Sequence, residues 1–334
     1  MQLVLDTNGL IVKKRNNSFW IMAKEGKRMI SPKRVSSIAV TADCLFSSAA
    51  IRLAALHQIH IYFMDATGHA ESRLWSAAFG STATIRREQV LFALTPEATE
   101  WIISLFQLKL EGQIQTLKYI QRTRPRLKAE MSSGIEALQA RFTSFSEHEG
   151  KLLHGTRGNL MGIEGSMGKT YWELMGKATP KPFQFSGRSR RPAQDPFNSG
   201  LNYLYGMLYN LVSSACFAAG LDPYLGFLHT DGYKRPSLTF DMIEPFRPWI
   251  DKLLLQATYE KSLQVGYFSK LENGIRLNDK GKRFIIPLFN DLMVSKKRFR
   301  NRQLSHKNHI YRFAGEFGQF LLKRNTENDL SDLL

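Results

Sequence analysis

The stretch Trp101-Ile102-Ile103-Ser104-Leu105-Phe106-Gln107-Leu108-Lys109-Leu110-Glu111-Gly112-Gln113-Ile114-Gln115-Thr116-Leu117-Lys118-Tyr119-Ile120 decides the fold. At 3.6 residues per turn it sets Ile102, Leu105, Phe106, Leu108 or Lys109, and Ile114 near one face, so the spacing predicts an amphipathic helix. Working outward, this periodicity starts at about Ile85. Residues 121–151 continue it with basic and polar insertions, and further helices are expected over Glu164–Met175, Asn198–Ala219, Met242–Lys261, Phe284–Arg298 and Asn308–Lys323. Upstream the pattern differs. Gln2–Leu5, Leu10–Lys13, Phe19–Met22, Val35–Val40 and His60–Met64 are short runs rich in Val, Ile and aromatics. Turn residues divide them at Thr7-Asn8-Gly9, Asn16-Asn17-Ser18, Lys24-Glu25-Gly26 and Ala66-Thr67-Gly68. One short helix fits at Ser47–His57, with Ser47-Ser48 as its cap. The expected class is α+β: a small β-rich domain, a sandwich or roll, over residues 1–85, followed by a larger all-α domain over residues 86–334.

The chain of 334 residues is 43% hydrophobic and 22% charged, enough to build a core and unlike a disordered tail. Its net charge of +17 asks for a polyanionic partner, nucleic acid or an anionic membrane surface. The amino terminus is too short an apolar run for a signal peptide. Pro196–Leu221 is uncharged and long, but Asn198, Asn202, Asn210, Ser213 and Ser214 would be costly in lipid, so a buried helix of a protein without membrane contact is expected. Cys44 and Cys216 stand in apolar surroundings and read as reduced core residues of a cytoplasmic protein.

Gly162-Ile163-Glu164-Gly165 places one acid between glycines in a strongly basic chain, where a carboxylate lowers affinity for any polyanion. The next run, Gly165-Ser166-Met167-Gly168-Lys169-Thr170, lacks the first glycine of a nucleotide-binding phosphate loop, because that position is Ile163. Leu228-His229-Thr230 and Asp241-Met242-Ile243-Glu244 supply an imidazole and two further carboxylates. Each has an ordinary reading. Glu164 suits the first turn of a helix, His229 ends an apolar run before the turn Thr230-Asp231-Gly232, and Asp241 with Glu244 would open a helix. Together they are a donor set for Mg2+ or Mn2+. Gly187-Arg188-Ser189-Arg190-Arg191-Pro192 and Lys296-Lys297-Arg298 are clusters of cations, suited either to a solvated face or to a phosphate backbone.

These residues carry a resemblance. Gly162–Gly165 with Tyr171 following is similar to the first catalytic motif of the CRISPR-associated integrase family, the universal spacer-acquisition enzymes. Phe185–Pro192, then Asp195-Pro196-Phe197-Asn198 and Leu204-Tyr205-Gly206, resemble that family's central segment. Gly226-Phe227-Leu228-His229, Arg235-Pro236-Ser237-Leu238 and Asp241–Pro248 resemble its third. The resemblance implies a β-rich domain used in homodimerisation, a helical catalytic domain, and two dimers bridged by a small partner protein. It implies that Glu164, His229 and Glu244 hold Mg2+ or Mn2+, with Asp241 as the neighbouring catalytic acid and Glu in place of the family's last Asp. Tyr171, Asn198 and Tyr205 are further motif residues, and Arg188, Arg190, Arg191, Arg235, Arg247, Lys296, Lys297 and Arg298 are the candidate contacts to double-stranded DNA. The implied reaction is attack by the 3′-hydroxyl of a short DNA fragment on a phosphodiester at the edge of a repeat. A structure-specific repair nuclease would use the same site, and a non-catalytic DNA-binding protein would need none of it.

Overall fold

The computed structural model describes residues 1–24, 26–35, 37–64, 70–74, 82–190, 192–229 and 235–327. The turns expected at Ala66-Thr67-Gly68 and Thr230-Asp231-Gly232, together with Glu25 and Arg191, lie outside the described residues.

The amino-terminal part contains β1 (Gln2–Leu5), β2 (Leu10–Arg15), β3 (Ser18–Ala23), β4 (Gly26–Ile30), β5 (Ser37–Val40), β6 (Cys44–Phe46), α1 (Ser48–Leu56), β7 (His60–Met64) and β8 (Ala70–Leu74). They form two four-stranded sheets, ordered β4-β3-β2-β6 and β1-β5-β7-β8. β2 and β3 are joined by Asn16 and Asn17, both at positive φ (47° and 53°). Asparagine tolerates this conformation, and the primed turn it makes matches the strand twist. Alternation sends Val12, Phe19 and Ile21 from one sheet and Leu3, Leu5, Ile38 and Ile61 from the other into one core with Ala50, Leu53 and Ala54 of α1. The Ser47 hydroxyl caps α1 by accepting from the Ala50 amide at 3.2 Å. β4, β6 and β8 are strands that the sequence pattern did not mark. β4 is an exposed edge rich in charge, and β6 is three residues long.

From Thr82 onward the chain is mostly helical: α2 (Thr82–Phe92), α3 (Pro96–Thr123), α4 (Lys128–Phe142), α5 (Leu153–Ala178), α6 (Pro196–Ala218), α7 (Ser237–Met242) and α8 (Arg247–Tyr259). Then come β9 (Phe268–Leu271), β10 (Gly274–Leu277), α9 (Asp279–Val294), β11 (Lys296–Phe299), β12 (Arg302–Ser305) and α10 (His306–Glu327). α3 buries Ile102, Leu105, Phe106, Leu110, Leu117 and Ile120. α6 is buried along nearly its whole length and is capped by Asp195, whose carboxylate accepts from the Asn198 amide at 2.7 Å. Among the described residues no helix is long and apolar enough to cross a membrane.

The expected all-α character needs correction, because two antiparallel hairpins, β9–β10 and β11–β12, interrupt the helices. The expected helix over Phe284–Arg298 stops at Val294. Lys296, Lys297, Arg298 and Phe299 then alternate outward and inward, and this two-residue period belongs to a strand. The two parts of the molecule are tied directly. The Tyr62 hydroxyl donates to the Asn210 carbonyl at 3.0 Å, and Asn290 exchanges two hydrogen bonds with the backbone of Gln2.

Candidate active site

Glu164 lies in the middle of α5, which starts at Leu153, eleven residues before the start expected from the sequence. The favourable dipole of a first turn therefore does not account for this acid. A side chain at Gly162 or Gly165 would meet no atom within 4 Å, whereas a Cβ on Gly168, one turn on, would lie 3.8 Å from Glu164 Oε1. Glu164 is about one-third exposed, with a side-chain exposure of 33%.

Glu244 comes from a different kind of element. The expected helix Met242–Lys261 is broken into α7, a 3-10 turn at Glu244–Phe246 and α8. Pro245 and Pro248 remove amide donors and disfavour a continuous helix through this point. The break turns Glu244 inward, toward α3. α3 comes very close here: a Cβ on Gly112 would lie 2.8 Å from the Pro248 Cβ, so only glycine fits.

One turn before Gly112, Lys109 reaches both acids. Its Nζ stands 2.5 Å from Glu164 Oε1 and 2.6 Å from Glu244 Oε2. Arg247 Nε donates to the other Glu244 oxygen at 2.7 Å, and its Nη2 donates to the Tyr209 hydroxyl at 3.0 Å. Burial alone would push Glu244 toward its neutral form, but Arg247 and Lys109 outweigh it and hold the carboxyl below its ordinary range. Burial likewise opposes the Lys109 charge, and Glu244 with Glu164 overcomes it, raising that ammonium's pKa.

His229 follows the Gly226–Leu228 loop, which packs against the start of α7 so tightly that a Cβ on Gly226 would lie 2.4 Å from the Ser237 Cβ. Asp241 is fully buried and accepts from the amides of Phe227 (2.7 Å), Leu228 (3.1 Å) and His229 (3.1 Å). Its Oδ1 also meets His229 Nδ1 at 2.7 Å. A carboxylate that already accepts three amides acts as an acceptor again here. The proton then sits on Nδ1, and the Nε2 lone pair is left for a ligand or a substrate. The structure thus makes Asp241 the support of His229. It brings Glu164 and Glu244 together around Lys109, and it does not gather three of these groups at one point. Among the described residues no three His, Cys, Asp or Glu side chains stand as a preformed metal cluster.

The donor set still fits a hard divalent cation. Two carboxylates and an open imidazole nitrogen are the right ligands. Glu244 Oε2 is buried, and the group that faces it is itself a cation, the Lys109 ammonium at 2.6 Å.

Behind these groups lies a second acid. Asp251 of α8 is buried and accepts from the Tyr171 hydroxyl at 3.1 Å and from the Tyr205 hydroxyl on its other oxygen. Burial raises its pKa to about 6, against the tyrosine hydrogen bonds that pull it down.

The arginines divide. Arg188 was expected at DNA. Instead it donates to Asn198 Oδ1 (2.6 Å) and Asn202 Oδ1 (2.7 Å) and lies against the rings of Trp172 and Tyr205, so it anchors the 185–196 loop. Asn198 serves the same loop through the Gly187 carbonyl and Asp195. Arg247, also expected at DNA, is committed to Glu244 and Tyr209. Arg190, Arg235, Lys296 and Arg298 are exposed, and Lys297 lies half-buried near Trp249. The sequence reading passed over Lys109, Tyr209 and Asp251. For Lys109 a signal was present: a cation on the apolar stripe of an amphipathic helix, followed three residues later by a mid-helix glycine.

The family model described as CRISPR associated protein Cas1 matches residues 3–291. A CRISPR-associated endonuclease Cas1 from Archaeoglobus fulgidus is 28% identical over 334 residues, covering 96% of each chain. A casposase bound to integration product superposes with a TM-score of 0.82 at 21% identity, over 97% of this chain and 91% of that one. A Cas6-RT-Cas1–Cas2 complex gives 0.76 at 21% identity, over 97% of this chain and 35% of the other. The chain belongs to the Cas1 family of CRISPR-associated proteins.

Proposed function

We propose that this chain is the integrase of CRISPR adaptation, a DNA endonuclease and strand transferase that inserts short foreign fragments into the repeat array. The observation that carries the chemical part of this reading is the meeting of Glu164 and Glu244. They come from a glycine-flanked helix and a proline-broken turn, and they meet at a single cationic point in a chain of net charge +17.

Glu164, Glu244 and His229 would hold Mg2+ or Mn2+, which supplies polarisation of a phosphoryl oxygen and a lower-energy attacking or leaving oxygen. The protein's own contribution is positional. Asp241 fixes the ring of His229 and its tautomer. Arg247 keeps Glu244 ionised and pins one of its oxygens. The Tyr171–Asp251–Tyr205 group braces α5, α6 and α8 against one another behind the acids. Arg190, Arg191, Arg235, Lys296, Lys297 and Arg298 would contact phosphates, which gives affinity without sequence information. Transesterification exchanges one phosphodiester for another and needs no nucleotide hydrolysis, in keeping with the incomplete phosphate-loop motif. The assembly that goes with this reading is a homodimer formed through the β-rich part, two dimers bridged by a small partner protein on double-stranded DNA, in the cytoplasm.

The test is strand transfer. A short labelled duplex with free 3′-hydroxyls is mixed with a supercoiled plasmid carrying a repeat array, Mn2+ or Mg2+, and the small partner protein. Label is expected to enter the plasmid, and to be lost with chelator and with Glu164→Ala or His229→Ala. Plasmid cutting without label transfer would replace the integrase with a nuclease, and DNA binding with neither product would refute the catalytic reading.

A further inference from the structure

We infer that Lys109 occupies the position of the divalent cation, so that its ammonium must leave before the metal can be held between Glu164 and Glu244. This rests on the metal-dependent reading of the site. Three observations carry it. The Nζ atom touches one oxygen of each acid, at 2.5 and 2.6 Å, leaving no room for a second cation between the same atoms. The other Glu244 oxygen is paired with Arg247, so of the two Glu244 oxygens the one that Lys109 holds is the one to serve a metal. Among the described residues Lys109 is the one group paired with that oxygen, so its departure opens the oxygen to another cation.

The charge count points the same way. Lys109 and Arg247 balance Glu164 and Glu244, and a divalent ion added to this partly buried group would leave two uncompensated positive charges. Withdrawal of Lys109 halves that excess. The displaced ammonium needs another anion, and a DNA phosphate supplies one. Metal and DNA binding therefore reinforce each other through one lysine side chain, by the reciprocity of linked equilibria. Without DNA the site resists loading and idle hydrolysis.

The experiment measures Mn2+ affinity by electron paramagnetic resonance of free Mn2+, on the full chain, without turnover. It compares wild type, Lys109→Met, Lys109→Gln, Glu164→Gln and, as a control for a lysine elsewhere on the surface, Lys177→Met. Each is titrated with and without a duplex ending in 3′-deoxynucleotides, which cannot act as the attacking strand, and the duplex is checked for cleavage after the titration. Lys109→Met is expected to bind Mn2+ about tenfold or more tightly than wild type without DNA, with Lys177→Met unchanged. The duplex is expected to tighten Mn2+ binding in wild type and to add little in Lys109→Met, with Glu164→Gln subtracting the ions held by DNA itself. Lys109→Gln is neutral and still polar and answers the same question if the methionine variant fails to fold. A Lys109→Met chain that folds only when Mn2+ is added also supports the inference. Equal or weaker Mn2+ binding in folded Lys109→Met or Lys109→Gln overturns it, as does an equal DNA effect in wild type and variant. If wild-type binding is not lost in Glu164→Gln, the metal site itself is misplaced, a separate failure from that of the lysine.

Discussion

Glu244 and Asp251 lie seven residues apart in the same proline-broken segment, both buried, and their pKa values are pushed in opposite directions. Glu244 has Arg247 on one oxygen and Lys109 on the other, and is held ionised below the ordinary range. Asp251 is given two phenol hydroxyls. Arg188 and Arg247 act on it only from a distance, and burial lifts it to about 6. Burial therefore does not decide the charge of an acid; the partners that replace water do. The carboxylate held ionised is faced by two cations, Arg247 and Lys109. The one that braces three helices is surrounded by neutral donors.

The largest effect should come from removing the charge of the acids at the candidate metal position. Glu244→Gln or Glu164→Gln should lower strand transfer by about a thousandfold or more, since both the metal and the transition-state charge it carries are lost. DNA binding, measured at fixed salt, should be retained or tightened, because each change removes a negative charge from a basic surface. Weakened DNA binding of similar size would mean that the acids organise the fold and not the chemistry.

Next in size is Arg247→Met. It leaves Glu244 buried with one exchangeable partner, and breaking a buried pair from one side costs about 3–5 kcal/mol. Urea denaturation should report that loss, and the double change Arg247→Met with Glu244→Gln should recover part of it. A single variant as stable as the parent would show that Glu244 does not depend on Arg247 for its charge.

Asp251→Asn tests the other side of the comparison. A carboxyl raised from 3.8 to about 6 favours folding fully below the unfolded value, and this contribution is lost as pH rises through the folded value. Wild-type stability should therefore decline by about 2 kcal/mol from pH 4 to pH 7 through this group. Asp251→Asn does not titrate, so its stability should be flatter across that window. Parallel curves for the two proteins would show that Asp251 is ionised as easily in the fold as outside it.

How far these two acids were legible in sequence differs for a physical reason. Glu164, His229 and Glu244 stand beside glycines, a turn and prolines, local features that mark a break in regular packing. Asp251 sits within an ordinary helical pattern, and nothing local separates it from a solvated helix acid. Its partners are 80 residues away at Tyr171 and 46 away at Tyr205. Lys109 is a similar case, since its position on α3 followed from periodicity but the carboxylate 55 residues on did not. Arg188 looked like a surface cation because its acceptors, Asn198 and Asn202, are not acids, and Arg247 because nothing local shows that Glu244 and Tyr209 are buried beside it. The β-rich first part was legible from its alternation and its Asn turns. β9 to β12 were not, because four-residue strands in a basic sequence show little apolar alternation.

The smallest effect, and the sharpest for the comparison, belongs to Tyr205→Phe. The ring survives, so its contacts with Arg188 and Arg247 are kept and only the hydroxyl donated to Asp251 is lost. A hydrogen bond to an ionised acceptor contributes more than one to a neutral group. At pH 8, where Asp251 is charged, the substitution should cost about 1.5–3 kcal/mol; at pH 5, where it is largely protonated, about 1 kcal/mol or less. The surviving donor, Tyr171, cannot satisfy both oxygens, so the midpoint of the Asp251 titration should also move above 6. Urea denaturation of the two proteins at the two pH values measures the difference. A loss that is the same at both would mean that the tyrosine braces α6 by packing alone. The hydroxyl would then do little to offset the burial that raises the Asp251 pKa.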